Sequence, residues 1–342
     1  MDPPLYREEP LVTAAQRAQL LLLKAVILIV RALPRRIAVR AGRAFGLLAS
    51  LCVPLHREIA RVQMRHVLGP DYHEGVLRES FMHQGGLFAD MIRVAYMDDS
   101  ELKSTVVVEG REHLDKALAS GRSVMIVSCH MNWEVLGHVP RVFGIKVCVM
   151  ADYIKNSAIQ AMADEMRSRC RIDVLPPKGG MVNRLTDELK AGSIVGMIVD
   201  QRGKRDNGLY CDVLGLPAPT SPAPALIALR GDALILPIAG IRQGDRYIFR
   251  WDPPIDSRDF GTDYRLVKSL SDCWKSEAVK NLSCALQSWV SSVVREHPGQ
   301  WFWLHCRWLR RSDMKKIVRK GLDFGEFVRS QAHGYLQEKN VI

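Results

Sequence analysis

From Ser104 onward the chain alternates short apolar, β-branched runs with amphipathic stretches, and few architectures accept that pattern. STVVVEG precedes a helical pattern over 111–120, RSVMIVSC one over 133–143, and IKVCVM one over 156–169. RIDVLP leads into a pattern over 181–191, SIVGMIVD and GLYCDVLG into one over 222–230, and ALILPIAGI and RYIFRWDPP follow. Strands alternating with helices predict an α/β domain with a mainly parallel sheet, whose later strands can run antiparallel. Ligand sites in such sheets form outside the carboxyl ends of the strands. His130 and Asp200 both stand there, each directly after an apolar run.

The first hundred residues follow a different rule. LVTAAQRAQLLLLKAVILIV, over 11–30, is too long for an ordinary signal peptide and lacks a small-residue cleavage site. It has about the length of a membrane span, but Arg17, Lys24 and Arg31 interrupt it every seven residues and fall on one stripe of a helix. A basic stripe on an apolar helix favours lying in the membrane interface, cations toward anionic headgroups. A bundle helix with one solvated edge is the alternative. Helical spacing continues over 36–60, in REIARVQMRHV (57–67) and over 72–97. This predicts a helical, membrane-associating region over 1–103, an α/β core over 104–312, and a charged helical tail over 313–342.

A chain of 342 residues accommodates one large α/β domain with additions or two ordinary domains, and 47% hydrophobic with 25% charged residues is globular. The net charge of +11 calls for acidic partners: nucleic acid, anionic lipid or phosphorylated substrates. Eight cysteines never fall in a C-x-x-C spacing, so neither a zinc ribbon nor a redox motif is expected, and they suit reduced thiols packed as small hydrophobes.

Three stretches carry the chemistry. In Ser128-Cys129-His130-Met131-Asn132-Trp133-Glu134 a buried strand delivers a histidine, with a carboxylate four residues on. Glu134, in the first turn of the following helix, could reach back to the imidazole, fix its tautomer and make the other nitrogen a general base. A histidine at a strand end also serves simply as a satisfied polar residue, and Asn132 as a helix cap. His138 could claim Glu134 instead. Cys129 points to the opposite face from His130 and no G-x-S-x-G elbow occurs, so direct attack by an acceptor hydroxyl is favoured over covalent catalysis. A His–Glu metal pair lacks a third ligand of suitable spacing, and no metal or cofactor is expected. In Gly196-Met197-Ile198-Val199-Asp200-Gln201-Arg202-Gly203, Asp200 needs a cationic partner, for which Arg167 is the candidate; Asp206-Asn207-Gly208 has the composition of a turn. Arg167, or backbone N–H groups near the helix start, would stabilise an oxyanion. The third stretch, 300–311, sets three tryptophans among arginines, suiting a headgroup belt, a base-stacking face or a packed C-terminal segment; packing is favoured for Trp301 and Trp303.

Taken in this order, SCHMNWE, IVDQRG with LGLPAPTSPAPALIALRGDALILPI, and WFWLHCRW resemble the bacterial lipid A biosynthesis acyltransferases of the lauroyl/myristoyl type, members of the lysophospholipid-acyltransferase-like superfamily. The likeness extends over about 15–312 and includes Leu-Pro-Arg-Arg (33–36) and RHVLGP (65–70). It implies an αβα fold on the cytoplasmic face of a bacterial inner membrane. The implied activity moves a fatty acyl group from an acyl carrier protein or CoA thioester to a hydroxyl of a lipid acceptor: a lipid A precursor, with a lysophospholipid, an ornithine lipid or another glycolipid as alternatives. Carried onto this chain, His130 is the base and Glu134 its orienting acid. Arg167 and Asp200 shape the site, and Asn132 and Gln201 belong to the matched motifs. One departure stands out. The family places four residues between the histidine and its acid, and this chain has three, with a glycine position missing. Either His130 shifts and Glu134 reaches it, or the pair is detuned. A catalytically silent lipid- or carrier-protein-binding module and a nucleic-acid binder are the rivals; the second lacks any recognisable nucleic-acid motif. The acceptor, chain length and donor are not encoded in motif spacing.

Overall fold

The computed structural model describes residues 14–338 apart from 152, 153, 155, 176–178 and 205–207. Its strands are β1 (Val106–Glu109), β2 (Val124–Ser128), β3 (Val147–Met150), β4 (Asp173–Leu175), β5 (Ile194–Ile198), β6 (Leu209–Val213), β7 (Leu216–Thr220), β8 (Leu234–Gln243), β9 (Arg246–Trp251) and β10 (Ile255–Asp256). The main sheet runs in the order β1-β9-β8-β2-β5-β3-β4, with β10 against β8. All its pairings are parallel except β8–β9 and β8–β10, matching the expected mainly parallel sheet with antiparallel later strands.

The central strand shows why the chain forms layers. Every residue of β2 is buried, and successive side chains point to opposite faces. Met125 and Val127 join one apolar cluster, with Ile59 and Met64, Leu226 and Ile227, and Leu282, Leu286 and Val290. Val124 and Ile126 join another, with Leu87, Val94, Leu114 and Val135. The sheet is thus covered on both sides by helices, and the helices of the first hundred residues are built into both cores. Asp90, buried in the helix Glu74–Ala95, accepts from Arg35 at 2.6 and 2.8 Å and from the Tyr247 hydroxyl at 2.7 Å, tying two N-terminal helices to β9.

Several expected elements are redrawn. The helical pattern over 36–60 breaks at Val53, where Pro54 opens a new helix; Arg35–Cys52 and Pro54–Asp71 meet at 99°. The pattern over 133–143 splits at Gly137 into Trp133–Leu136 and Val139–Phe143. The long helix expected over 263–296 begins at Glu277, because Ser276 caps it and the Asp263 carboxylate accepts the Glu277 and Ala278 N–H groups. Leu216–Thr220, with Pro217 and Pro219, forms β7 of a separate hairpin with β6; two strands alone leave open edges that tolerate proline. Of the turn expected at Asp206-Asn207-Gly208, only Gly208 lies among the described residues. Beyond Arg310 the chain forms two helices, Arg311–Lys320 and Phe324–Glu338.

Candidate active site

β2 and β5 are parallel neighbours, with Ser128 opposite Ile198, and the Val199 N–H donates to the Ser128 carbonyl at 2.9 Å. Residues two beyond each end therefore stand side by side, and these are His130 and Asp200. Asp200 Oδ1 lies 2.6 Å from His130 Nδ1. Asp200 Oδ2 accepts from the His130 backbone N–H at 2.8 Å and from Trp301 Nε1 at 2.7 Å. The carboxylate is fully buried, so three donors replace its lost hydration. Burial alone would raise the Asp200 pKa, but the charge of and hydrogen bonds from His130 hold it well below the usual carboxylate range. Burial pulls His130 down; the charge and hydrogen bond of Asp200 outweigh this and leave it raised. With Asp200 ionised, the neutral imidazole carries its proton on Nδ1 and exposes a lone pair on Nε2.

Aromatic rings wall the imidazole. Trp133 meets it edge-on at 4.8 Å between centroids, and Phe302 and His305 lie at 6.4 and 5.9 Å. Burial lowers His305 to about 4, which keeps it neutral, and its Nδ1 bonds the Phe302 carbonyl. The Phe302 N–H donates to the His130 carbonyl at 3.1 Å, and Trp301 donates to Asp200, so segment 300–308 is stitched to both members of the pair. Arg307, fully buried below, donates to the Pro219 carbonyl, the Thr220 hydroxyl and Gln287. Burial lowers it to about 10, so it stays cationic and offsets the charge of Asp200. Trp301, Trp303 and Trp308 are all buried. That removes the headgroup-belt and base-stacking readings of this stretch and supports the packed one.

The residues singled out by sequence separate into two groups. His130, Asp200 and Gln201 converge: Gln201 Nε2 is 3.1 Å from His130 Nε2. Glu134 does not bond the imidazole. Its Oε2 is out of solvent with no hydrogen-bond partner, and burial raises its pKa to about 8, the proton-bearing state at neutral pH. With three intervening residues Glu134 does not take His130 Nδ1, which Asp200 already holds. His138 does not claim Glu134 either; its ring nitrogens face Arg141 at 3.2 Å and the Cys170 sulfur at 3.6 Å. Arg167 pairs with Asp164 on its own helix at 3.4 Å, and the partners of Asp200 are His130 and Trp301, so the expected Arg167–Asp200 ion pair is corrected. Asn132 holds the N-cap position of Trp133–Leu136, as expected, but its side chain makes no capping hydrogen bond. It adopts φ 52°, is fully buried, and its amide donates to the Gly240 carbonyl at 2.8 Å and to Gln300 Oε1 at 3.0 Å, clamping β8 to the tryptophan segment. Cys129 is fully buried, and burial pushes its thiol well up, away from nucleophilic thiolate. Trp301 is the residue that sequence reasoning missed; a tryptophan beside Trp303 and Trp308 shows no sign of donating to a strand-end aspartate. Among the described residues no group of three His, Cys, Asp or Glu side chains could hold a metal ion.

Two curated relatives carry the description phosphatidylinositol mannoside acyltransferase. The one from Mycolicibacterium smegmatis is 22% identical over 305 residues, covering 86% of this chain and 92% of the relative. The one from Mycobacterium tuberculosis (CDC 1551) is 23% identical over 231 residues, covering 66% and 67%. A solved structure, the 1-acyl-sn-glycerophosphate acyltransferase PlsC from Thermotoga maritima, superposes with a TM-score of 0.34 at 15% identity, covering 73% of this chain and 99% of that one. The pattern described as bacterial lipid A biosynthesis acyltransferase matches residues 7–310, and the chain accordingly belongs to that family of acyltransferases.

Proposed function

We propose that this acyltransferase works at a membrane surface, transferring a fatty acyl group from an acyl carrier protein or CoA thioester to a hydroxyl of a glycolipid acceptor. His130 is the general base. The observation that carries the reading is the 2.6 Å contact between His130 Nδ1 and an Asp200 with no exposure. It orients the ring, fixes the proton on Nδ1 and supports the imidazolium formed during reaction.

In the proposed step Nε2 removes the acceptor hydroxyl proton as that oxygen attacks the thioester carbonyl carbon. The tetrahedral intermediate collapses, the C–S bond breaks, and the thiolate leaves with the proton that His130 holds. An ester and a free thiol result, so protons and electrons balance within the two substrates and one imidazole. The buried Arg307 and Trp301 act behind Asp200, keeping it ionised throughout.

The glycolipid class is supported by the mannosylated lipid named for the two relatives and by the family's own name. A membrane surface is supported by the N-terminal helices. Leu21, Leu22, Leu28 and Ile29 are more than 60% exposed on the helix Ala14–Ala32, as are Phe45, Leu48 and Leu51 on Arg35–Cys52. Arg17, Lys24 and Arg31 are exposed on the same first helix. Apolar side chains on the outside of a soluble face are costly, and cations among them suit anionic headgroups. No single described helix is long and apolar enough to cross a membrane, although the bent pair Arg35–Cys52 and Pro54–Asp71 passes on length and composition. An interfacial placement on the cytoplasmic side of the inner membrane fits this arrangement.

The test is acyl transfer by His130→Ala in membranes from cells expressing the variant, alongside lipid mass spectrometry of cells lacking the gene. Loss of transfer with an intact fold, and loss of one acylated glycolipid, are expected. Turnover retained by His130→Ala would remove His130 as base, and a wild type that transfers no acyl group would instead revive the silent-module reading.

A further inference from the structure

The base is held at both of its nitrogens by two consecutive residues. Asp200 takes Nδ1 at 2.6 Å, and the Gln201 side-chain amide sits 3.1 Å from Nε2. Because Nδ1 carries the proton, Nε2 is an acceptor, and the Gln201 group facing it is the N–H₂ end, a donor. The chemistry therefore matches: Gln201 presents an N–H where the acceptor must present an O–H. The other approaches to the ring are taken by Trp133, Phe302 and His305, and the imidazole is only 12% exposed. Gln201 itself is exposed, on the loop after β5, so its amide can be displaced without disturbing the core.

We propose that Gln201 is the residue that makes this enzyme a transferase rather than a thioesterase, by capping the lone pair of His130 until an acceptor hydroxyl displaces it. A base as reactive as His130 next to a bound thioester would equally activate water, and hydrolysis would waste the donor. A water molecule arriving at Nε2 exchanges one hydrogen bond for another and gains nothing. An acceptor lipid is anchored by the rest of its structure, so its hydroxyl arrives at high effective concentration and replaces the amide. The selectivity comes from anchoring, and the cap converts it into a choice of nucleophile. The inference rests on His130 as the base.

Gln201→Ala removes the donor and leaves Asp200 in place. Two measurements on the full chain then separate the possibilities. The first is the rate at which diethyl pyrocarbonate carbethoxylates His130, read by peptide mass spectrometry; the lone pair attacks the reagent, releasing ethanol and carbon dioxide. The second is thiol release from palmitoyl-CoA without any acceptor. Both are expected to rise about tenfold, equivalent to about 1.4 kcal/mol and to the upper range of one neutral hydrogen bond. The rise in thiol release should vanish in Gln201→Ala/His130→Ala. Unchanged carbethoxylation would show that the lone pair is not capped, and raised carbethoxylation without raised thiol release would show that the cap does not guard against water. Either result overturns the inference while leaving the base assignment intact. Acyl transfer retained by His130→Ala is the separate result that would overturn the base itself.

Discussion

At the scale of single residues, one buried carboxylate, Asp200, has three donors, while the neighbouring Glu134 leaves one carboxyl oxygen without a partner. Asp200 is ionised and directional; Glu134, on the adjacent turn, holds its proton to about pH 8 because burial disfavours its charge. Two pH dependences follow. His130 is raised above its ordinary value and, as the proposed base, must be neutral, so the acidic limb of kcat/KM should lie above pH 6.5. Asp200→Asn removes the charge that raises it, so that limb should move to lower pH while the rate falls. Glu134 acts on stability instead. Its folded pKa exceeds the unfolded value of about 4.3, so the folded state binds the extra proton and stability is lost as pH rises from about 4.3 toward 8. Glu134→Gln should abolish that slope; a melting temperature falling as steeply between pH 6 and 8 in the variant would refute it. His130 and Asp200 were both legible in the sequence, because each follows an apolar run. Their pairing was not. It needs the strand order, since only adjacency of β2 and β5 sets residues 130 and 200 side by side, and without it Arg167 was a reasonable partner.

At the scale of elements, the site depends on how closely the N-terminal helices pack. Arg35–Cys52 and Glu74–Ala95 cross backbone to backbone: a Cβ on Gly85 would meet the Gly42 carbonyl oxygen at 2.1 Å, and one on Gly46 the Phe81 carbonyl oxygen at 2.2 Å. Gly85→Ala must push the helices apart and should cost about 1–3 kcal/mol, read as a lowered urea midpoint with an unchanged slope. An unaffected midpoint would mean that the crossing is looser than described. Glycines at four-residue spacing are visible in the sequence, yet nothing in it says which helix they face. The break at Pro54 was likewise present as a residue but hidden by unbroken helical periodicity on both sides. The start of Glu277–Glu296 was misplaced because its caps, Asp263 and Ser276, lie within a stretch whose apolar spacing still looks helical. Strands fared better: β2 is short, apolar and fully enclosed, and β5 is short and apolar with Val195 buried, and burial on two faces leaves that signature in composition.

For the whole molecule, charge and exposed apolar surface point the same way. A net charge of +11 combines with a face of exposed leucines on the first two helices, so binding to vesicles should need both anionic lipid and an apolar anchor. Leu22→Glu with Leu48→Glu should weaken binding to phosphatidylglycerol vesicles by roughly 10²–10⁴-fold, taking about 1.5–3 kcal/mol per buried leucine. Binding unchanged by the pair would place the membrane contact elsewhere.

The claim on which the mechanism stands is that Asp200, and not the acid of the shortened motif, serves His130. Acyl-transfer rates of Asp200→Asn and Glu134→Gln, measured side by side and normalised to folded protein, test it directly. Asp200→Asn should lose about 10³–10⁴-fold, because the imidazole then favours the wrong tautomer. Glu134→Gln should stay within about tenfold of wild type, since one neutral hydrogen bond is worth about 1 kcal/mol. The reverse ranking, with Asp200→Asn active and Glu134→Gln inert, would contradict the account.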